Sequence, residues 1–266
     1  MNIKPSENIN LYGLKNYFDE IIKLYNQKKM PNKIILSGKK GLGKSTLAHH
    51  IINYILSKNE DYKYDAINSI INKDNRSFIL LNNKTHPNFY SIDLINEKKI
   101  IDVGQIREMI TYTNKSSFND DSRFILIDNI ENLNKNSINA LLKIVEEPND
   151  NIFFILIHNS EKKILPTLKS RCLIFKINLS YVECLNIANL LISRNVMDLI
   201  NKDLISHYNT PGDFIKLVDF ADEKKIDLKE QSIESFINLL IDNGYYKKNK
   251  LVKQLLINFI ELFFLK

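Results

Sequence analysis

The stretch KIILSGKKGLGKSTLAHHIINYIL, residues 33–56, decides how this chain folds. Its apolar opening reads as a strand and runs into Gly38-Lys39-Lys40-Gly41-Leu42-Gly43-Lys44-Ser45, which satisfies G-x-x-x-x-G-K-[ST]. From Lys44 to Leu56 the pattern is helical, so strand, glycine loop and helix follow in the order that motif requires. Gly38, Gly41 and Gly43 let the backbone turn its N–H groups toward phosphate oxygens, and the helix start adds a positive dipole. Lys44 can reach the terminal phosphates, Ser45 offers a hydroxyl to Mg²⁺, and Thr46 follows in the same turn. The expected ligand is a nucleoside triphosphate, ATP, with Mg²⁺.

Outward from this loop, short apolar runs alternate with helix-like stretches as far as residue 177. NFYSIDL precedes a helix over 103–115, RFILIDN precedes one over 135–147, and NIFFILI precedes one over 161–170, before a last strand, LIFKI. That alternation predicts an α/β fold. FILI and IFFILI are apolar at consecutive positions, as central strands of a parallel sheet covered on both faces must be. In the helix at 135–147, Ile138, Leu141, Leu142 and Val145 fall on one face, and Pro148 is expected to close it. After Asn178 the strand signals stop and the rest reads as helices. The expected layout is a nucleotide-binding domain over 1–178, a helical lid over 179–226 and a short helical region over 227–266.

A second element of a nucleotide site is an acid ending another central strand, and Asp128 after FILI supplies it, placed to hold Mg²⁺ together with Ser45. His158 and Asn159 close the IFFILI strand with polar side chains.

Composition bounds the function without naming it. The chain has 266 residues, 44% hydrophobic and 26% charged, with a net charge of +6, which suits a folded protein of about two domains. Its lysines are scattered among acids rather than gathered into a stripe, and Lys247, Lys248 and Lys250 read as a solvated face. No run of eighteen apolar residues occurs and the start lacks the layout of a signal peptide, so a cytoplasmic protein without membrane contact is expected. Cys172 and Cys184 have no CxxC spacing and read as structural thiols.

The stretch ILIDNIENLNKNSINALLKIVEEP, followed by FFILIHNSEKKILPTLKSRC, resembles the central region of bacterial clamp-loader AAA+ subunits. That family shares an N-A-L-L-K-x-x-E-E-P helix and an S-R-C motif, here Asn139 to Pro148 and Ser170 to Cys172. LYGL at 11–14, His86-Pro87 and IDVGQIRE at 101–108 extend the resemblance over about residues 10 to 215. It implies an AAA+ fold with a helical lid and a helical collar, and work beside gamma, tau and delta subunits to load a sliding clamp onto primed DNA. It also implies that Arg171 acts in trans, completing the ATP site of the neighbouring subunit as an arginine finger, and that His158 or Asn159, with Asn159 taken for the role, is the polar sensor for the γ-phosphate or attacking water.

Asn129 and three departures from the family pattern bear on the subunit type and its assembly. Asn129 stands where hydrolysing relatives carry a Glu after the strand-end Asp, so water activation is impaired unless Glu131 substitutes. Residues 57–88 contain no zinc-binding cysteines, and Gly212 stands where the motor subunits carry a lid arginine. The pattern resembles delta-prime, with weak or absent turnover of its own. A gamma- or tau-type motor is the alternative, and a P-loop small-molecule kinase is a more distant one. The third departure is the short collar, with only about forty residues after the lid.

Overall fold

The computed structural model describes residues 4–94, 100–115, 121–146, 151–248 and 250–265. It comprises two compact units, Asn2–Asn178 and Leu179–Lys266. The first contains α1 (Lys15–Asn26), β1 (Lys33–Gly38), α2 (Lys44–Leu56), α3 (Arg76–Asn82), β2 (Phe89–Ile92), α4 (Val103–Thr113), β3 (Arg123–Ile127), α5 (Lys135–Glu146), β4 (Ile152–Asn159), α6 (Pro166–Lys169) and β5 (Leu173–Lys176).

The five strands form one sheet in the order β2-β3-β4-β1-β5, and every pairing is parallel. The consecutive apolar runs take the interior: β3 is buried along its whole length and β4 nearly so. The edge strands β2 and β5 keep partly exposed positions. Burial on two faces explains why these strands lack polar alternation. On one face α4 and α5 pack Ile106, Met109, Leu141 and Val145 against Ile125, Ile127 and Phe154. Arg123, buried at the start of β3, donates to the carbonyls of Thr113 (3.1 Å) and Lys115 (3.0 Å) and so satisfies the end of α4.

The helix expected over 135–147 is α5, with Leu141 and Val145 buried and Ile138 and Leu142 packed beside them. Pro148, read as its stop, lies outside the described residues. The helix expected over 161–170 is corrected: only Pro166–Lys169 is helical. Pro166 disfavours helical geometry at Leu165, which is extended, so the chain can start a turn only at the proline itself.

Segment 57–88, which lacks the zinc cysteines of related subunits, is held by hydrogen bonds. Glu60 accepts from the Ser77 amide (3.1 Å) and hydroxyl (2.6 Å), and Ser77 Oγ lies 3.2 Å from His86 Nε2. Asn75 is fully buried; its Oδ1 caps α3 through the Phe78 amide (2.7 Å) and its Nδ2 donates to the Tyr62 carbonyl (2.7 Å).

The second unit has no strand among its described residues. It contains α7 (Tyr181–Ile192), α8 (Val196–Leu199), α9 (Pro211–Lys224), α10 (Ile233–Asp242), α11 (Tyr245–Lys248) and α12 (Lys250–Leu265). Capping boxes at Ser180 and Thr210 start α7 and α9, with Pro211 at the first helical position. Residues on both sides of position 226 share one apolar core, in which Phe236 is fully buried with its ring 5.0 Å from Phe259 and 6.5 Å from Phe220. Lys247 lies 5.8 Å over the Tyr246 ring, and Lys248 and Lys250 fall outside the residues whose side chains are described. Among the described residues no helix is long and apolar enough to cross a membrane.

Candidate nucleotide site

The loop between β1 and α2 has the backbone that a phosphate cradle needs. Gly41 (φ 89°) and Gly43 (φ 83°) are left-handed, a conformation that side chains resist. Gly38 serves a different purpose: a β-carbon there would collide with the backbone carbonyl of Ile177, just after β5. Glycine at 38 thus permits close packing between neighbouring strands, while those at 41 and 43 turn the chain. Whereas α3, α4 and α7 are capped by Asn75, Asp102 and Ser180, the start of α2 at Gly43 has no side-chain cap. The amides of Lys44, Ser45 and Thr46 therefore have no capping side chain, which suits an anion at the positive end of the helix dipole.

Lys44 is buried, its Nζ donating to the carbonyls of Gly38 (2.8 Å) and Lys39 (2.6 Å). Burial pulls its pKa down to about 8, an effect that Asp128, Glu131 and Glu161 partly offset. Asp128 follows β3 and its carboxyl is pushed up to about 6, chiefly by burial and then by the nearby Asp93. The Asn129 amide, the Ser45 hydroxyl and Lys44 pull the other way. The hydrogen bond between Ser45 and Asp128 brings together the two groups expected at Mg²⁺, one hydroxyl and one carboxylate oxygen donor set suited to a hard cation.

Asn159 ends β4 directly opposite Gly38 of β1, and His158 lies opposite Ser37. The two differ in environment. His158 is buried with Nδ1 2.9 Å from Ser37 Oγ, and burial lowers its pKa. Asn159 is half-buried; its amide donates to Glu131 (3.2 Å) and its side chain turns back to Glu161. Glu131 therefore lies against the end of β4. Asn129 is left-handed (φ 58°) and its Nδ2 donates to Asp93 Oδ1 at 2.7 Å. Asp93 is a second acid at this edge that the sequence reading missed, although it ends FYSI just as Asp128 ends FILI.

Arg171 is elsewhere. In the parallel register Leu173 pairs with Ile34, so Arg171 lies at the end of the sheet where β1 begins, whereas the glycine loop follows the end of β1. Six residues of strand separate the two levels, roughly 20 Å at about 3.3 Å per residue.

A family model described as DNA polymerase III, delta subunit, matches residues 13–180, which include the glycine loop, Asp128 and Arg171. The chain belongs to that family. Among curated relatives of this DNA polymerase III family, the delta-prime subunit of Buchnera aphidicola subsp. Baizongia pistaciae is 33% identical over 173 residues, 62% of this chain and 50% of the relative. The gamma subunit of Buchnera aphidicola subsp. Schizaphis graminum is 31% identical over 177 residues, 66% of this chain and 46% of the relative. The chain thus spans about half the length of the curated relatives it matches. The crystal structure of a DNA polymerase III gamma subunit-related protein from Thermotoga maritima superposes with a TM-score of 0.54 and 16% identity, covering 91% of this chain and 84% of that one. That likeness speaks to the fold, and the AAA+ clamp-loader resemblance drawn from the motifs agrees with the family match.

Proposed function

We propose that this chain is a delta-prime-like subunit of a DNA polymerase III clamp loader. It holds ATP and Mg²⁺ at Gly38, Gly41, Gly43, Lys44, Ser45, Thr46, Asp128 and Asn159, turns ATP over slowly, and presents Arg171 to a neighbouring subunit's nucleotide. Its partners are gamma or tau and delta subunits, the sliding clamp and, through the assembly, primed DNA in the cytoplasm. Residues 179–226 act as the lid and 227–266 as a collar-like region.

The observation that carries the reading is the position of Arg171 at the opposite end of the sheet from the chain's own phosphate loop. A side chain whose backbone lies about six strand residues, roughly 20 Å, from this chain's own glycine loop is poorly placed to serve that loop, which supports a role at a neighbour's nucleotide. Weak turnover in cis is supported by Asn129, whose amide is tied to Asp93 and cannot take a proton from water. The gamma relatives favour a motor subunit as the second reading, distinguished by brisk hydrolysis in the isolated chain.

The test is a loader reconstituted with Arg171→Ala. Clamp- and DNA-stimulated turnover at the neighbouring site should fall on the order of 10³-fold while the complex still assembles. Wild-type clamp loading by an assembled Arg171→Ala complex would overturn the role in trans.

A further inference from the structure

We propose that Glu146 is the positioning residue that aims Arg171, a role resting on the reading of Arg171 as the arginine offered in trans. Arg171 follows the four-residue α6, a segment too short to hold a long side chain in one direction by itself. Yet its guanidinium is fixed on several sides. Nε donates to Glu146 Oε1 at 2.9 Å, and Nη2 lies 2.8 Å from the same oxygen. Nη1 donates to the Thr167 carbonyl at 3.1 Å and to Ser170 Oγ at 3.2 Å. A guanidinium has five N–H groups in a planar fork, so these contacts engage most of them and define its plane.

Glu146 is the last residue of α5, the helix that follows the Asp128 strand, while Arg171 belongs to the turn before β5. Two segments distant in sequence thus meet through one carboxylate. The side chains of Arg171 and Glu146 are 37% and 49% exposed. A pair so wet adds little to folding, because water screens it and holding two long side chains costs entropy. Its consequence is orientation: the rotamer freedom of Arg171 is reduced before a phosphate arrives, and a charge-stabilising group works only when held in place in advance.

The experiment uses reconstituted loaders carrying wild type, Arg171→Ala, Glu146→Ala or Glu146→Gln, with kcat and KM for ATP, assembly by gel filtration, and thermal unfolding of each isolated chain. Glu146→Ala should lower kcat roughly tenfold to a hundredfold, as small misplacements of a catalytic group do, with KM changed less than about twofold. Glu146→Gln keeps an oxygen acceptor at that place and should recover most of the loss. Glu146→Ala turnover at or above the wild-type rate, while Arg171→Ala is slow, would overturn the positioning role and leave the trans arginine standing. A Glu146→Ala chain that no longer assembles, or a Gln variant as slow as Ala in an assembled complex, would also overturn it. Wild-type turnover in Arg171→Ala would instead sink the reading on which it rests.

Discussion

At the residue scale, the candidate nucleotide site is a set of charges whose strengths are set by burial. Lys44 and Asp128 are drawn toward neutrality by loss of water and toward charge by each other, so each depends on its partner for its ionised form. Asn129 tests the missing base: Asn129→Glu restores a carboxylate, but places it against Asp93 and removes a 2.7 Å hydrogen bond. Single-turnover hydrolysis should rise by about tenfold or more in Asn129→Glu/Asp93→Asn, and less in Asn129→Glu alone. No rise in the double variant would show that the lost base is not what limits turnover. His50 gives a pH prediction outside the site. It is fully buried, Nδ1 2.8 Å from the Tyr64 hydroxyl and Nε2 3.0 Å from the Asn8 carbonyl, and burial holds its pKa down to about 4 from an ordinary 6.5. The unfolded chain takes up this proton near pH 6.5 and the folded chain only near 4, so the stability from neutral His50 is complete above 6.5. It falls as pH drops through that window, by on the order of 3 kcal/mol. Urea titrations from pH 7 to 4.5 should show a shallower decline in His50→Gln than in wild type.

At the element scale, α2 and α3 illustrate opposite uses of a helix start. The start of α2 has no capping side chain and faces the loop that is read as a phosphate site, whereas α3 is closed by a buried asparagine. Asn53 Nδ2 also donates to Asn75 Oδ1 at 3.0 Å, so one side chain links α2, α3 and the Tyr62 loop. Asn75→Ala should cost about 2–4 kcal/mol, beyond a simple cap, because it strands buried donors and an acceptor as well. The urea midpoint measures this; a change below about 0.5 kcal/mol would mean that the neighbours re-pair. The α5 helix was legible from its amphipathic spacing and α2 from its place after the glycine loop, but the helix expected over 161–170 shrank to Pro166–Lys169, because Leu165 precedes a proline that keeps it extended.

At the scale of the whole molecule, the glycine loop and Arg171 occupy opposite ends of one sheet, so the two roles proposed for them would not meet within one chain. Isolated protein should bind ATP or ADP in a Mg²⁺-dependent way, and Lys44→Ala should abolish it by removing the cation that the glycine-loop motif assigns to the terminal phosphates. Calorimetry on folded wild type checks this, and no binding at millimolar nucleotide would overturn the ATP-holding role.

The sequence by itself determined the α/β alternation, the central strands β3 and β4, the glycine loop and the acid after β3, because these rest on local patterns: periodicity, consecutive apolar residues and a motif with fixed spacing. Only the tertiary structure decided that β4 lies between β3 and β1, which sets Asn159 opposite Gly38. It likewise brought Asp93 to Asp128 and Glu146 to Arg171, and gave Gly38 its role of close approach to Ile177. Strand order and register come from burying surfaces far apart along the chain, and no local pattern records which distant segment will supply the covering face.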